Sequence, residues 1–316
     1  MPRPPIRPAA IGLGLLLLAA SMAPAAAPLR FFALGDVPYS DAEAALLPLL
    51  LEQAAAQRPA FMVHIGDIKG GGQTCTDARN RIVAQLFRAQ PVPVIYTPGD
   101  NEWTDCHRER AGGVDPLARL DSLRRMFFAD QTVLHNAALG LTVPDPEFPE
   151  DAWFIRDRVL FVLLHIVGSG NAWQPRNPVA QAAFKARDKA NRQLLDQALA
   201  AGERAGVRAV VLAFHANPLF DRPRHAGYLP FKQDLRRLLA RFDGPVLLIH
   251  GDTHRYRFDH PVTDPATGQP IARVQRLEVP GSPFVGGVQV SVDPDAADVF
   301  SVHTLFPNAT ESWLHH

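Results

Sequence analysis

Phe31-Phe32-Ala33-Leu34-Gly35-Asp36 is a short apolar run that stops at a glycine and a carboxylate, and the same ending returns three times along the chain. Phe61-Met62-Val63-His64-Ile65 leads into Gly66-Asp67, Val94-Ile95-Tyr96-Thr97-Pro98 into Gly99-Asp100, and Val246-Leu247-Leu248-Ile249-His250 into Gly251-Asp252. A fifth run, Val210 to Phe214, ends in His215, and His254 follows Asp252 by two residues. Continuous apolarity marks strands buried on both faces, and in an open α/β sheet ligands bind beyond the carboxyl ends of the strands. The glycines would let the chain turn sharply and let backbone approach a ligand. One Gly-Asp pair reads as turn chemistry. Four of them at strand ends, joined by strand-end histidines, read as a carboxylate cluster that only cations make tolerable.

Between these runs lie helical patterns. Ser40-Asp41-Ala42-Glu43 is a capping box opening a helix over Asp41–Gln57, which Pro48 would bend. A second helix is expected over Ala78–Arg88 with Ile82, Leu86 and Phe87 on one face, and a third over Pro116–Phe128. The acidic, proline-containing stretch Thr142–Asp151 reads as an exposed insertion, and Val159–Val167 as a fully buried strand running into Gly168-Ser169-Gly170-Asn171. The longest helix, about Pro178–Gly206, carries a core stripe of Phe184, Leu194, Leu195, Ala198 and Leu199, and another helix is expected over Phe231–Phe242. Beyond Pro261 the residues alternate at 272–279 and 288–292, as antiparallel strands do, with a further strand near 299–302. This is the rhythm of a sheet covered by helices, and 28–316 is expected to form a single domain, with C-terminal strands over 271–303.

The chain has 316 residues with 32 basic and 32 acidic side chains, so no basic field argues for nucleic acid. Residues 1–27 read as a secretory signal: Arg3 and Arg7 form a basic start, Ala9 to Ala20 an apolar core too short to span a bilayer, and Met22 to Ala27 a small-residue cleavage region. Losing it takes Arg3 and Arg7 from the 32 basic residues, leaving 30 against 32 acidic. A periplasmic or secreted protein without a stable membrane anchor is expected. Its only cysteines, Cys75 and Cys106, follow the second and third strand-end aspartates, and in an oxidising compartment they would bridge those two loops rather than stay free.

At these positions the chain resembles the calcineurin-like metallophosphoesterases over roughly 31–261. Their motifs match Asp36, Gly66-Asp67, Gly99-Asp100-Asn101-Glu102, His215 and Gly251-Asp252-Thr253-His254. The resemblance implies an α/β four-layer sandwich, two stacked mixed β-sheets flanked by helices, with two divalent metal ions (Mn, Mg, Ca, Fe or Zn) and hydrolysis of a small-molecule phosphomonoester or phosphodiester by a two-metal-activated water. Metal ligands would be Asp36, Asp67, Asp100, His215, Asp252 and His254, with Asp67 bridging. The chain departs from the family at three places. Pro38 replaces the histidine two residues after Asp36, with Tyr39 next to it as a candidate ligand, since tyrosine is a ligand in the related purple acid phosphatases. Asp100 stands where the family has its ligand asparagine, leaving Asp100 or Asn101 as the ligand. Asp252 replaces a histidine, with His250 as a nearby substitute. Alkaline phosphatase D-like members resemble this chain in using aspartate at the last two places. An oxygen-rich donor set favours Mn, Mg or Ca relative to Zn.

With Asn101 at the family's acid position, a proton donor is expected from His107, Asp105 or His64, while Asn101 donates a hydrogen bond to a phosphoryl oxygen. His64 and His165 otherwise read as core; His225, His260 and His303 as surface; His315 and His316 as a tail. Trp103 and Asn171 would line a pocket or pack. Two other readings remain: a catalytically impaired metal- or solute-binding protein on the same fold, and a metal-free α/β solute site.

Overall fold

The structure is a computed structural model that describes Met1 and residues 27–130, 134, 136–222 and 224–307. The expected signal segment, apart from its two ends, and His315 and His316 lie outside these residues. In chain order the elements are β1 (Leu29–Leu34), α1 (Asp41–Ala56), β2 (Met62–His64), α2 (Asp77–Arg88), β3 (Val94–Tyr96), α3 (Pro116–Phe127), β4 (Ala152–Arg156) and β5 (Val159–Leu163). There follow α4 (Pro178–Ala205), β6 (Ala209–Ala213), α5 (Leu229–Arg241), β7 (Val246–His250), β8 (Arg257–Asp259), β9 (Val274–Glu278), β10 (Gly287–Val292) and β11 (Phe300–Leu305).

Two mixed sheets result. One has the order β11-β10-β1-β2-β3, the other β4-β5-β6-β7-β9-β8. Within the first, β1, β2 and β3 run parallel; within the second, β5, β6, β7 and β9 do. The sheets face each other through Phe31, Phe61, Phe154 and Phe161, with Phe31 stacked on Phe61 at 5.0 Å between centroids and Phe154 on Phe161 at 4.7 Å. Alternate side chains of each strand face outward. Phe32, Leu34, Met62 and Val94 meet Leu50, Val83, Phe87 and Leu123 of α1, α2 and α3. Val210, Leu212, Val246 and Leu248 meet Leu194, Leu195, Leu235 and Leu238 of α4 and α5. Helices, sheet, sheet and helices make four layers, and burial on both faces is why the strands read as unbroken apolar runs.

Several local expectations change. On α2 the buried positions are Asn80, Val83, Ala84 and Phe87, while Ile82 is exposed, because the helix turns the 80-83-87 stripe inward. Pro48 lies inside α1 without ending it. β9 pairs parallel with β7, and only its other edge, to β8, is antiparallel. The stretch before β4 is not exposed throughout: Glu150 and Asp151 are buried.

Candidate metal centre

The parallel registers bring the ends of β1, β2, β3, β6 and β7 to one rim. Asp36 (φ 55°), Asp67 (φ 58°), Asp252 (φ 75°) and His254 (φ 57°) all adopt the left-handed conformation, which costs a side-chain-bearing residue energy and is concentrated at functional sites. The turn is therefore made largely by the aspartates themselves. Two of the preceding glycines serve close approach instead. A Cβ on Gly99 would lie 2.1 Å from Asp67 Oδ1, and one on Gly251 would lie 2.0 Å from Asp36 Oδ2.

Two triads of donor atoms form, Asp36 with Asp67 and His215, and Asp100 with His215 and Asp252, each within 4.8 Å. His215 Nε2 lies 3.0 Å from Asp100 Oδ1 and 3.5 Å from Asp67 Oδ1. Its Nδ1 faces the Ile65 carbonyl at 2.8 Å; a carbonyl only accepts, so Nδ1 carries the proton and Nε2 is turned to the cluster. His254 repeats the device. Its Nδ1 donates to Ser282 O at 2.7 Å, and its Nε2 lies 3.6 Å from Asp36 Oδ1 and 3.3 Å from the Tyr39 hydroxyl. Tyr39 donates to Asp67 Oδ2 at 2.5 Å. Burial, then the charges of Asp67 and Asp36, keep its hydroxyl protonated, so the structure places it as a donor to Asp67.

Burial drives the protonation of the cluster. It pushes Asp36 up to about 8 and Asp67 well above the ordinary range, with His215 opposing in both. Asp252 is raised to about 6 by burial. Burial also acts on Asp100, but the hydrogen bonds and charge of His215 and the Ser169 hydroxyl outweigh it and hold that carboxyl at about 2. The His215 imidazole, which burial alone would keep neutral, is raised by Asp67 and Asp100. Four carboxylates against one buried imidazole and one half-buried imidazole form a donor set that takes up protons or cations, and hard, oxygen-rich ligation suits divalent cations. The residues present fit such ions.

Asn101 Nδ2 donates to Asp67 Oδ2 at 2.6 Å and to the Tyr39 hydroxyl at 3.0 Å, while its backbone N–H bonds Asp67 Oδ1. Asp100, not Asn101, presents a carboxylate to His215. Buried Glu102 ties the loops, its Oε1 accepting from Asp67 N, Gly99 N and the Tyr96 hydroxyl. The Cys75–Cys106 disulfide joins the same two loops, with Cα atoms 5.8 Å apart.

Three candidates stand apart. His250 lies on the helix-facing side of β7, stacked on Phe214 with Nδ1 at the Gly251 carbonyl, because its strand parity matches Val246 and Leu248. His64 likewise packs against Phe87 on the α2 side of β2, held neutral by burial at about 3. His107 is exposed, with Nδ1 on the Thr104 carbonyl. Asp105 comes closer: burial and the charge of Asp100 raise it to about 6 against the pull of Ser169 and Arg108. Trp103 is buried packing beneath the Arg187 guanidinium.

The sequence reading missed Arg108 and placed Ser169 only in the loop that follows a buried strand. Ser169 Oγ lies 2.7 Å from Asp100 Oδ2 and 2.9 Å from Asp105 Oδ1. Arg108 reaches Asp105 Oδ2 at 2.6 Å and Ser169 Oγ at 3.2 Å, and stays partly open to solvent. Residues 169–172 are all left-handed, and a Cβ on Gly168 would lie 2.3 Å from Asp100 Oδ1. The Gly-Ser-Gly-Asn composition was the available signal.

A family model described as calcineurin-like phosphoesterase matches residues 29–256. Among solved structures, a dimetal phosphatase from Danio rerio is similar at a TM-score of 0.50 and 13% identity, covering 89% of this chain and 99% of that one. PhoD is similar at a TM-score of 0.54 and 12% identity, covering 85% of this chain and 65% of that one. At such identities the likeness is one of fold. A sequence comparison with curated proteins finds no match.

Proposed function

This chain belongs to the calcineurin-like phosphoesterases, hydrolases acting on phosphoester bonds, and from that premise we propose an exported, two-metal phosphoesterase acting on a small-molecule phosphomonoester or phosphodiester. The observation that carries the reading is the pair of buried carboxylate–imidazole triads meeting at His215. Asp36, Asp67 and His254 would hold one divalent cation, and Asp100, His215 and Asp252 the other, with Asp67 shared. Cations held there supply Lewis acidity, bringing a water toward ionisation near neutral pH and neutralising charge on phosphoryl oxygens.

The chain's own residues do the rest. Arg108, partly solvent-exposed beside Ser169, binds a phosphoryl oxygen through its guanidinium fork. Asn101 donates a hydrogen bond to a second oxygen. Asp105 is the carboxyl that supplies a proton to the leaving oxygen: Ser169 Oγ links it to Asp100, whereas His107 points to its own 3-10 turn. A carboxyl raised to about 6 and linked through Ser169 to Asp100 favours turnover over the catalytically impaired binding protein, which the absence of a family-type histidine motivates.

Export is supported by the signal pattern in residues 1–27 and by the disulfide. Among the described residues no helix is long and apolar enough to cross a membrane. Chelation, reloading with each divalent ion and assay against a panel of phosphoesters tests the reading. Turnover that returns with metal supports it, and metal retention without turnover of any ester selects the binding protein.

A further inference from the structure

A groove of about 1160 Å³ opens beside the metal centre, between α5 and the segment that follows β7. Its inner end is the outer wall of the cluster. Asn217 and Thr253 line it, and the Asn217 backbone N–H donates to Asp252 Oδ2 at 2.9 Å. A single phosphoryl group needs nothing of this size; the space is that of an organic ligand.

The lining is of two kinds. Leu219, Phe220, Leu235, Val262 and Ile271 form an apolar floor. Around it stand six Lys or Arg side chains against two Asp, in a chain whose total charge is balanced. Four of the six are engaged within the fold. Arg273 donates to the carbonyls of Leu239 and Phe242, Arg276 forks onto Asp259, Arg257 meets Glu278, and Lys232 donates to the carbonyls of Leu219 and Arg222. Arg236 and Arg255 are exposed and make no ion pair among the described residues. Two uncommitted guanidinium groups beside an apolar floor suit a ligand with an apolar body and a second anionic group.

We propose that this groove binds the alcohol portion of the phosphoester, and that the substrate class is an amphiphilic phosphoester carrying a second anionic group, received by Arg255 and Arg236. The inference rests on the phosphoesterase reading above for the position of the scissile phosphate. Asp252 and Asn217 then mark the boundary between the reacting phosphoryl group and the groove, and the charge of the second anionic group selects among substrates.

The test compares phenyl phosphate, octyl phosphate and octanediol bisphosphate on the full-length metal-loaded protein and on Arg255→Glu and Arg236→Glu. The bisphosphate should exceed octyl phosphate about tenfold in kcat/KM, the value of one or two charge-assisted hydrogen bonds. Either charge reversal should erase that advantage and leave phenyl phosphate within about twofold. Equal rates on the two octyl compounds, or a uniform loss on all three, overturns the groove inference while leaving the phosphoesterase reading intact. If no ester is turned over, that reading fails by itself, and the groove is judged by calorimetry with the uncleavable octanediyl bisphosphonate. Binding to the wild type that Arg255→Glu abolishes supports the groove; no binding to the wild type ends it.

Discussion

Two clusters of buried ionisable side chains can be set side by side in this molecule. At the candidate metal centre Asp36, Asp67, Asp100 and Asp252 surround His215 and His254. Around Glu150 a buried carboxylate meets its own countercharge. Arg124 forks onto it at 2.6 and 3.0 Å and His165 Nδ1 lies 2.7 Å away, while Asp151 beside it is raised well above the ordinary range by burial and by the charge of Glu150, with Arg187 opposing. Burial acts on both, with different outcomes. Against burial, His165 and Arg124 hold Glu150 at about 2, whereas Asp36 drifts to about 8. A carboxylate that has its own countercharge can stay ionised inside a fold, and removing that partner strands a buried charge; a cluster that lacks one requires something from solution.

If that contrast is right, Asp67→Asn should have the largest effect of any single change. It removes a carboxylate that would serve both cations, so phosphoester turnover should fall at least ~1,000-fold, with both metals depleted by elemental analysis and the circular dichroism unchanged. Asp252→Asn should be milder and partly restored by excess metal. Full metal content and near-normal rates in Asp67→Asn would falsify the two-metal assignment.

The Glu150 cluster should respond in the opposite manner. Glu150→Gln strands Arg124 and uncouples His165, so unfolding in urea should show a loss of about 3 kcal/mol, while metal content and the turnover of the folded protein stay near wild type. A variant that keeps its stability but loses metal would make Glu150 part of the site.

The pH dependence of the chelated protein sharpens the comparison further. Asp36, raised from 3.8 to about 8, binds a proton in the folded state that the unfolded chain has released across that window, so its contribution falls as pH rises. Glu150, lowered from 4.5 to about 2, and His165, lowered from 6.5 to about 4 by burial, act the other way: the unfolded chain takes the proton first, and stability is lost on acidification through those windows. Asp36→Asn should therefore gain on chelated wild type between about pH 5 and about pH 8, whereas Glu150→Gln should lose less of its deficit at neutral pH than in acid, where wild-type Glu150 is also neutralised. Parallel profiles for Asp36→Asn and wild type would remove the charge imbalance from the argument.

The smallest expected effect belongs to Ser169→Ala. Its hydroxyl lies against Asp100 and Asp105, and losing a hydrogen bond to a charged group costs about 1.5 kcal/mol, or roughly tenfold in kcat/KM. The basic limb of the pH–rate profile should shift if Asp105 supplies the proton. An unmoved profile returns Ser169 to a role in loop shape alone.

The Glu150 cluster was invisible in the sequence because its members come from far apart: Glu150 meets Arg124, 26 residues away, and His165, 15 residues away. Nothing in Thr142–Asp151 distinguishes a surface carboxylate from a buried one until its partners are in place. The metal centre was far more legible. Each of its aspartates follows a glycine at the end of an apolar run; parallel pairing gathers the ends of β1, β2 and β3 in one sheet and of β6 and β7 in the other, and stacking of the two sheets joins the two sets. Arg108 and Ser169 were not legible as a pair, since 61 residues separate them and only loop geometry brings them into contact.

By itself the sequence determined the layered α/β architecture, the convergence of strand ends, the pairing of Cys75 with Cys106 as an expectation, and Asp36, Asp67, Asp100, His215, Asp252 and His254 as a set. Local chemistry suffices for these, because apolar runs dictate burial and glycine-aspartate endings recur at equivalent points. Tertiary structure alone decided which histidines face the cluster. His250 and His64 both belong to strand ends, yet each follows the parity of its strand onto the helix side. His215 lies two residues beyond β6, where the backbone has left the strand and the Ile65 carbonyl can orient the ring. A one-residue change of parity moves a side chain to the opposite face of a sheet, and only the stacking of the two sheets defines which face holds the carboxylate–imidazole cluster.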